Sequence, residues 1–264
     1  MLKGKNIQEL MFDLISKLTH GSVQARTLLV SRVFCSAKYF VHHLALSKDD
    51  ADMLHTKYYK DYGLAVSGLA KHHKIDPLDF NREVDDVLPL EGIITPDPKL
   101  RALLAEFDRS KVKLWLFTNA HVTHGRRVVR LLGVEDMFEG ITYCDYAQLP
   151  LICKPHEEMY AKAEREAGVT DTRNCFFVGS YTGGFTNRLE LLTCLDDSYL
   201  NCRHAQTRGW TAAHLIETGG LEPESKAARY QIRDLQQLRE IFPQFINDRS
   251  PQRTVDDCRQ TPRQ

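Results

Sequence analysis

At 264 residues the chain is long enough for one large α/β domain, or for a core domain with a smaller insert, and it can bury a substantial core without a metal or disulfide framework. Lysine plus arginine number 35 and aspartate plus glutamate 35, a formal net charge of zero. That balance excludes the electrostatic footprint of a nucleic-acid or anionic-membrane binder and leaves any phosphate chemistry to a local site.

The seven cysteines, Cys35, Cys144, Cys153, Cys175, Cys194, Cys202 and Cys258, are odd in number, scattered and without zinc-site spacing. They fit free thiols in a reducing compartment. No apolar run approaches a membrane span, and the opening Met1-Leu2-Lys3 meets Lys5, Asn6, Gln8 and Glu9 instead of a signal-peptide core. A cytoplasmic location, with the nucleus as a second compartment, is the expectation.

Ile7, Leu10, Met11, Leu14, Ile15 and Leu18 recur at three-and-four spacing, which predicts an amphipathic helix over 6–18 with Asp13 on a solvated flank. Residues 19–37 mix small, basic and β-branched types with no clean period, so 1–37 reads as an irregular segment carrying one helix. Helical patterns return from Lys38, with an acidic start at Ser47-Lys48-Asp49-Asp50 and another at Asp76-Pro77, and 38–90 reads as a compact helical insert. His42-His43 and His72-His73 sit inside it. Adjacent helical residues point about 100° apart and do not face one ligand, so surface or packing histidines are expected there.

Pro89, Gly92, Pro96 and Pro98 mark a linker, followed by a predicted helix over 99–108. The stretch Val112-Lys113-Leu114-Trp115-Leu116-Phe117 is apolar at five of six positions without helical spacing and ends in Thr118-Asn119. It reads as a buried strand delivering a hydroxyl and an amide at its carboxyl end, where open α/β sheets bind ligands. A helix over 125–132 and a short strand over 138–143 follow, the latter closing on Cys144-Asp145-Tyr146. Strand, helix, strand is the grammar of a parallel sheet.

Lys154-Pro155 precedes a helix over 157–167, with Pro155 placed in its first turn and Lys154 at an entrance that attracts anions. A strand over 175–178 and an apolar run over 189–195 come next, the run ending in Asp196-Asp197-Ser198. Beyond lie a helix over 199–207, a strand over 210–215, a loop over 219–228 and a final helix over 232–245. The span 91–246 is thus an α/β core, and the polar stretch 247–264 is expected to be disordered.

Three signals stand in order: Thr118-Asn119 after a strand, Lys154 before a helix, and Asp196-Asp197 after an apolar run. Together they supply a hydroxyl and an amide for phosphate oxygens, an ammonium to neutralise charge, and carboxylates for a hard cation. This arrangement resembles the haloacid dehalogenase superfamily, whose second, third and fourth motifs match Thr118, Lys154 and Asp196/Asp197. The segments Lys111-Val112-Lys113-Leu114-Trp115-Leu116-Phe117-Thr118-Asn119-Ala120, Thr142-Tyr143-Cys144-Asp145-Tyr146-Ala147-Gln148 and Cys153-Lys154-Pro155-His156 are closer still to its pyrimidine 5′-nucleotidase branch.

The resemblance implies a Rossmann-like core, a parallel sheet flanked by helices, under a helical cap. It implies magnesium-dependent hydrolysis of nucleoside monophosphates such as UMP and CMP through an aspartyl-phosphate, with neither nucleic acid nor membrane as partner. Thr118 and Lys154 are then catalytic, Asn119, Tyr143 and Asp145 bind substrate, with a turn cap as the other reading of Asp145, and Asp196 and Asp197 hold magnesium.

The chain departs from the family twice. The first motif, an apolar strand ending Asp-x-Asp, is expected before the helix at 6–18 and so upstream of Met1, and Phe12-Asp13-Leu14-Ile15 falls in a helical pattern with Ile15 where the second acid belongs. On this reading the first central strand and the nucleophile are missing, and turnover is impaired. Second, residues 179–195 intervene before the paired aspartates, as an inserted loop, a replacement strand at 191–195 or a translated intron; 19–37 is a similar intrusion. The alternative to an impaired nucleotidase is a non-catalytic phosphate-binding or regulatory remnant, or the product of an incomplete gene model.

Overall fold

The computed structural model describes residues 8–12, 23–181, 197–216 and 225–247, without the side chains of 23–33, 180–181 and 197–198. The described residues form a six-stranded, all-parallel sheet in the order β3-β2-β1-β4-β5-β6. Its strands are β1 (Gln8–Phe12), β2 (Val112–Phe117), β3 (Gly140–Thr142), β4 (Cys175–Tyr181), β5 (Thr211–Ile216) and β6 (Tyr230–Ile232).

The strand expected to be missing from the centre of this sheet is present. Gln8–Phe12, read from its spacing as part of a helix, is β1, hydrogen-bonded to β2 on one side and β4 on the other, with Leu10 level with both Leu114 and Phe176. Leu10, Met11 and Phe12 have no solvent exposure. Leu10 and Phe12 pack into the core under α6 (Pro98–Ala105) and α7 (Val122–Leu131), and Met11 packs on the opposite face under α8 (Glu157–Ala167) and α9 (Asp197–Thr207). A strand covered on both faces carries an unbroken apolar run. Leu-Met-Phe satisfies that run and the helical period equally, and the two neighbouring strands decide between them.

Helices α1 (Val23–Leu44), α2 (Lys48–Tyr62), α3 (Ala65–His73) and α4 (Pro77–Phe80) form the helical insert between β1 and β2, whereas α5 (Leu90–Ile93) buries Leu90 and Ile93 in the core of the sheet. Helix α1 runs through the stretch that showed no period and across position 38 without a break. The insert has its own apolar cluster, built from Tyr39, Phe40, Tyr58, Leu69 and Phe80 among others, and this cluster includes Cys144, Tyr146 and Cys153 from the α/β core. The adjacent histidines pack as expected. Tyr58 and Tyr62 hydroxyls meet His73 Nε2 at 2.7 Å and His72 Nε2 at 2.6 Å, and His43 Nε2 meets the Glu83 carboxylate at 2.9 Å.

The final helix expected over 232–245 is instead strand β6, a short turn capped by Asp234, and α10 (Leu238–Ile241). Pro243 cannot continue a helix, because its ring removes the N–H and crowds the preceding turn. Phe242 accordingly leaves the helical region at φ −127°, ψ 49°. Helix α8 coincides with its expected span, whereas Pro155 lies ahead of the N-cap His156 and not within the first turn. The apolar run 189–195 and the polar stretch from 248 lie outside the described residues.

Candidate active site at the carboxyl edge of the sheet

At the end of β2 the chain turns sharply. Thr118 is buried, its backbone N–H donates to Thr142 O at 2.9 Å, and its Oγ1 accepts the N–H of Ala120 at 3.1 Å. Asn119 binds the backbone of Lys154 reciprocally: Asn119 Nδ2 donates to Lys154 O at 2.9 Å, and Lys154 N donates to Asn119 Oδ1 at 2.7 Å. The amide expected on phosphate therefore serves first to lock two loops together.

Lys154 is 1% exposed. Its Nζ reaches inward, donating to Phe117 O at 2.8 Å and lying 4.7 Å from the Phe117 ring and 5.6 Å from the Phe177 ring. The sequence placed this ammonium at the entrance of α8; the structure turns it to the end of β2, one residue before Thr118. Desolvating an ammonium is costly, and a carbonyl oxygen with two ring faces offsets part of that cost.

The helical insert holds this loop from above. Gly63, with φ +73°, ends α2 and donates its N–H to Tyr59 O. A Cβ there would stand 2.8 Å from Lys154 O, so only glycine allows the approach. Cys153 Sγ donates to Tyr62 O at 3.4 Å beside it.

Tyr143 and Asp145 follow β3. Lys162 Nζ lies 4.7 Å from the Tyr143 ring and donates to the Tyr143 carbonyl at 2.8 Å. Asp145 Oδ1 accepts the N–H of Ala147 at 3.0 Å, so this carboxylate caps a turn. Burial pushes the neighbouring Cys144 thiol far above its ordinary range, which keeps it protonated and inert. His121, which sequence reasoning passed over, is the N-cap residue of α7; its Nδ1 lies 2.9 Å from Thr123 Oγ1, and its ring centroid is 5.4 Å from Tyr146 and 6.2 Å from Tyr143.

Asp197 opens α9, while Asp196 and the Asp197 side chain lie outside the described residues. Among the described residues no group of three His, Cys, Asp or Glu side chains could hold a metal ion. One turn into α9, Asn201 is fully buried, and neither its Oδ1 nor its Nδ2 finds a partner among the described residues. Such an amide offers a hard oxygen donor. Only a three-dimensional structure exposes it, because in sequence it is an ordinary helical asparagine.

Residues 10–180 match the family model described as haloacid dehalogenase-like hydrolase. The chain belongs to the haloacid dehalogenase-like hydrolase family. It is 34% identical over 223 residues to Phosphate metabolism protein 8 of Saccharomyces cerevisiae, a match covering 81% of this chain and 63% of that protein's length. Among solved structures it is similar to CbbY from Rhodobacter sphaeroides in complex with phosphate, with TM-score 0.57, 15% identity, and coverage of 88% and 96% of the two chains. The hydrolase YfnB from Bacillus subtilis bound to magnesium gives TM-score 0.53, 13% identity, and coverage of 90% and 100%. At these identities the likeness to the two structures is one of fold.

Proposed function

We propose that this family member is a magnesium-dependent phosphoric monoester hydrolase of the 5′-nucleotidase type, acting on nucleoside monophosphates such as UMP and CMP. The observation that carries the reading is the convergence of Lys154 Nζ and Thr118 at the end of β2, beside a central strand β1 whose last residue is Phe12. The residue after Phe12 in sequence is Asp13. With β1 a strand and not a helix, Asp13 becomes the candidate nucleophile in place of the absent one first expected. The similarity to Phosphate metabolism protein 8 favours phosphate chemistry.

In this mechanism a carboxylate oxygen of Asp13 forms a bond to phosphorus, the bond to the leaving oxygen breaks, and water then hydrolyses the acyl phosphate. Thr118 donates to a phosphate oxygen, and Lys154 neutralises charge in a site with little water. Tyr143 and Asp145 flank the substrate beyond the phosphate, and the helical insert serves as the cap. Asp196 and Asp197 are the residues that hold magnesium, with Asn201 as a further oxygen donor. When bound, the ion offsets negative charge on the phosphoryl oxygens.

The test is phosphate release by the purified chain, with magnesium, from UMP, CMP and p-nitrophenyl phosphate. Release is expected, and it is lost in Asp13→Asn and in Lys154→Met. Release from none of the three substrates would overturn the reading in favour of a non-catalytic phosphate-binding protein.

A further inference from the structure

Lys162 stands on α8, outside the residues assigned to the site, yet a chain of polar contacts holds its ammonium at the carboxyl edge of the sheet. Trp115 Nε1 on β2 donates to Thr142 Oγ1 at 3.0 Å, and the Thr142 hydroxyl on β3 donates to Glu166 Oε2 at 2.6 Å. Glu166 Oε1 lies 3.9 Å from Lys162 Nζ, one turn away on the same helix. Lys162 Nζ in turn donates to the Tyr143 carbonyl at 2.8 Å and lies 4.7 Å from the centre of the Tyr143 ring. One ammonium thus fixes both the backbone and the side chain of Tyr143. Thr142 is fully buried, so the chain is anchored in the core.

The register of the sheet places Tyr143. Phe117 is level with Thr142 in the parallel pair of β2 and β3, and the Thr118 N–H donates to Thr142 O at 2.9 Å. Tyr143 therefore leaves the sheet level with Thr118, about 5 Å away at the spacing of neighbouring strands. Lys162 reaches its ring from α8, on the face of the sheet that Met11 shares. His121, the N-cap residue of α7, reaches it from the opposite face, with ring centroids 6.2 Å apart. A ring touched from both helical layers lies at the crest between them, over the strand ends where open α/β sheets bind ligands. Tyr143 is half-buried, so part of it remains accessible.

We propose that Lys162 is a positioning residue for the leaving group, a role that rests on the hydrolase reading above. With Thr118 on the phosphate, the neighbouring Tyr143 borders the group esterified to it, and Lys162 holds this wall in place. The attraction of an ammonium for a ring face strengthens as the pair is desolvated, and the Glu166 carboxylate draws the same ammonium away from bulk water. Lys162 acts only through Tyr143. A wall of this kind contributes equally to binding in the ground state and in the transition state, so its loss raises KM and leaves kcat near its wild-type value. The phosphate end, built on Thr118 and Lys154, keeps its own contacts with Ala120 N and Phe117 O.

The experiment measures kcat and KM for UMP together with inhibition by inorganic phosphate, which fills the phosphate end of the site alone. In Lys162→Met the KM is expected to rise about 3- to 10-fold, with kcat and the inhibition constant of inorganic phosphate each within about twofold of wild type. Lys162→Arg, which keeps a cation and a donor, returns KM to the wild-type value. Tyr143→Leu raises KM at least as much, and Lys162→Met adds nothing further in the double variant, because the lysine acts through the ring. If Lys162→Met does not fold, Lys162→Gln carries the same expectations. Additive losses in the double variant would overturn the role, as would an unchanged KM in Lys162→Met or an equal weakening of inorganic phosphate, which marks a general disturbance of the edge. A wild-type chain that hydrolyses UMP, with no change of KM in Tyr143→Leu, overturns this assignment alone. Release from neither UMP nor p-nitrophenyl phosphate overturns the hydrolase reading and this role with it.

Discussion

Replacing Gly63 by alanine tests whether the helical insert positions Lys154. Two effects add at that position. The left-handed backbone, φ +73°, costs an alanine about 1–2 kcal/mol, of which about 0.4–1 kcal/mol returns through the stiffer unfolded chain. The new Cβ would also stand 2.8 Å from Lys154 O and 3.4 Å from Pro155 Cδ, so the carbonyl must retreat. Relieving it takes a shift on the order of half an ångström, and overpacking of this kind costs about 1–3 kcal/mol.

Gly168, at the end of α8 with φ +77° and nothing within 4 Å of its would-be Cβ, isolates the backbone effect. Gly168→Ala should cost roughly 1 kcal/mol and Gly63→Ala about 2–4 kcal/mol, with each kcal/mol lowering the melting temperature by about 2–4 °C. Because Lys154 O and N are both tied to Asn119, the shift is passed to Thr118 and to the ammonium. A misplacement of about 1 Å is worth on the order of 10²-fold in rate, so half that predicts roughly a tenfold loss in kcat/KM. Thermal unfolding and phosphate release measured on both variants check this. Equal destabilisation by the two alanines, with wild-type turnover in Gly63→Ala, would refute the clamp.

Three further outcomes follow from the ionisable groups. Glu9 is buried near the start of β1, and burial is the main cause of a carboxyl raised above its ordinary value, opposed by Lys113 and reinforced by Glu139. A raised acid stabilises the fold in its protonated form below the ordinary value and loses that contribution as pH rises through the folded one. Glu9→Gln should therefore raise the melting temperature at pH 7 to 8, with the gain vanishing near pH 4. Glu91 behaves oppositely: its hydrogen bonds from the Arg127 guanidinium hold its carboxyl down to about 2 from an ordinary 4.5. That contribution is present above the ordinary value and lost as pH falls, so the difference in urea midpoint between wild type and Glu91→Gln should close between pH 4.5 and 2. Glu164 accepts from Arg208 at 2.6 and 2.7 Å and from the Trp210 indole at 2.8 Å. Glu164→Ala strands a buried N–H and a guanidinium and should cost about 2–4 kcal/mol in chemical denaturation.

Some of the architecture was legible residue by residue. Val112–Phe117 reads as a strand because a short apolar run ends in small polar residues, and Glu157–Ala167 reads as a helix because its spacing has no competing interpretation. Gln8–Phe12 was misread, since three consecutive buried residues fit a helix stripe and a two-sided strand alike. The terminal helix failed for a local reason, with Pro243 cutting a pattern that looked continuous. At the site, the direction of Lys154 Nζ toward the Phe117 carbonyl and the binding of the Asn119 amide to the Lys154 backbone were not legible, whereas the turn cap at Asp145 was one of the two readings its position allowed.

What the sequence determined alone was the kind of chemistry available, through a hydroxyl, an ammonium and paired carboxylates spaced along alternating strands and helices. Those identities and spacings are local. The direction of Lys154, the glycine that lets the insert touch its carbonyl and the aromatic walls around His121 all join residues far apart in the chain. Local periodicity carries no information about such pairs. They exist only once the sheet has ordered its strands.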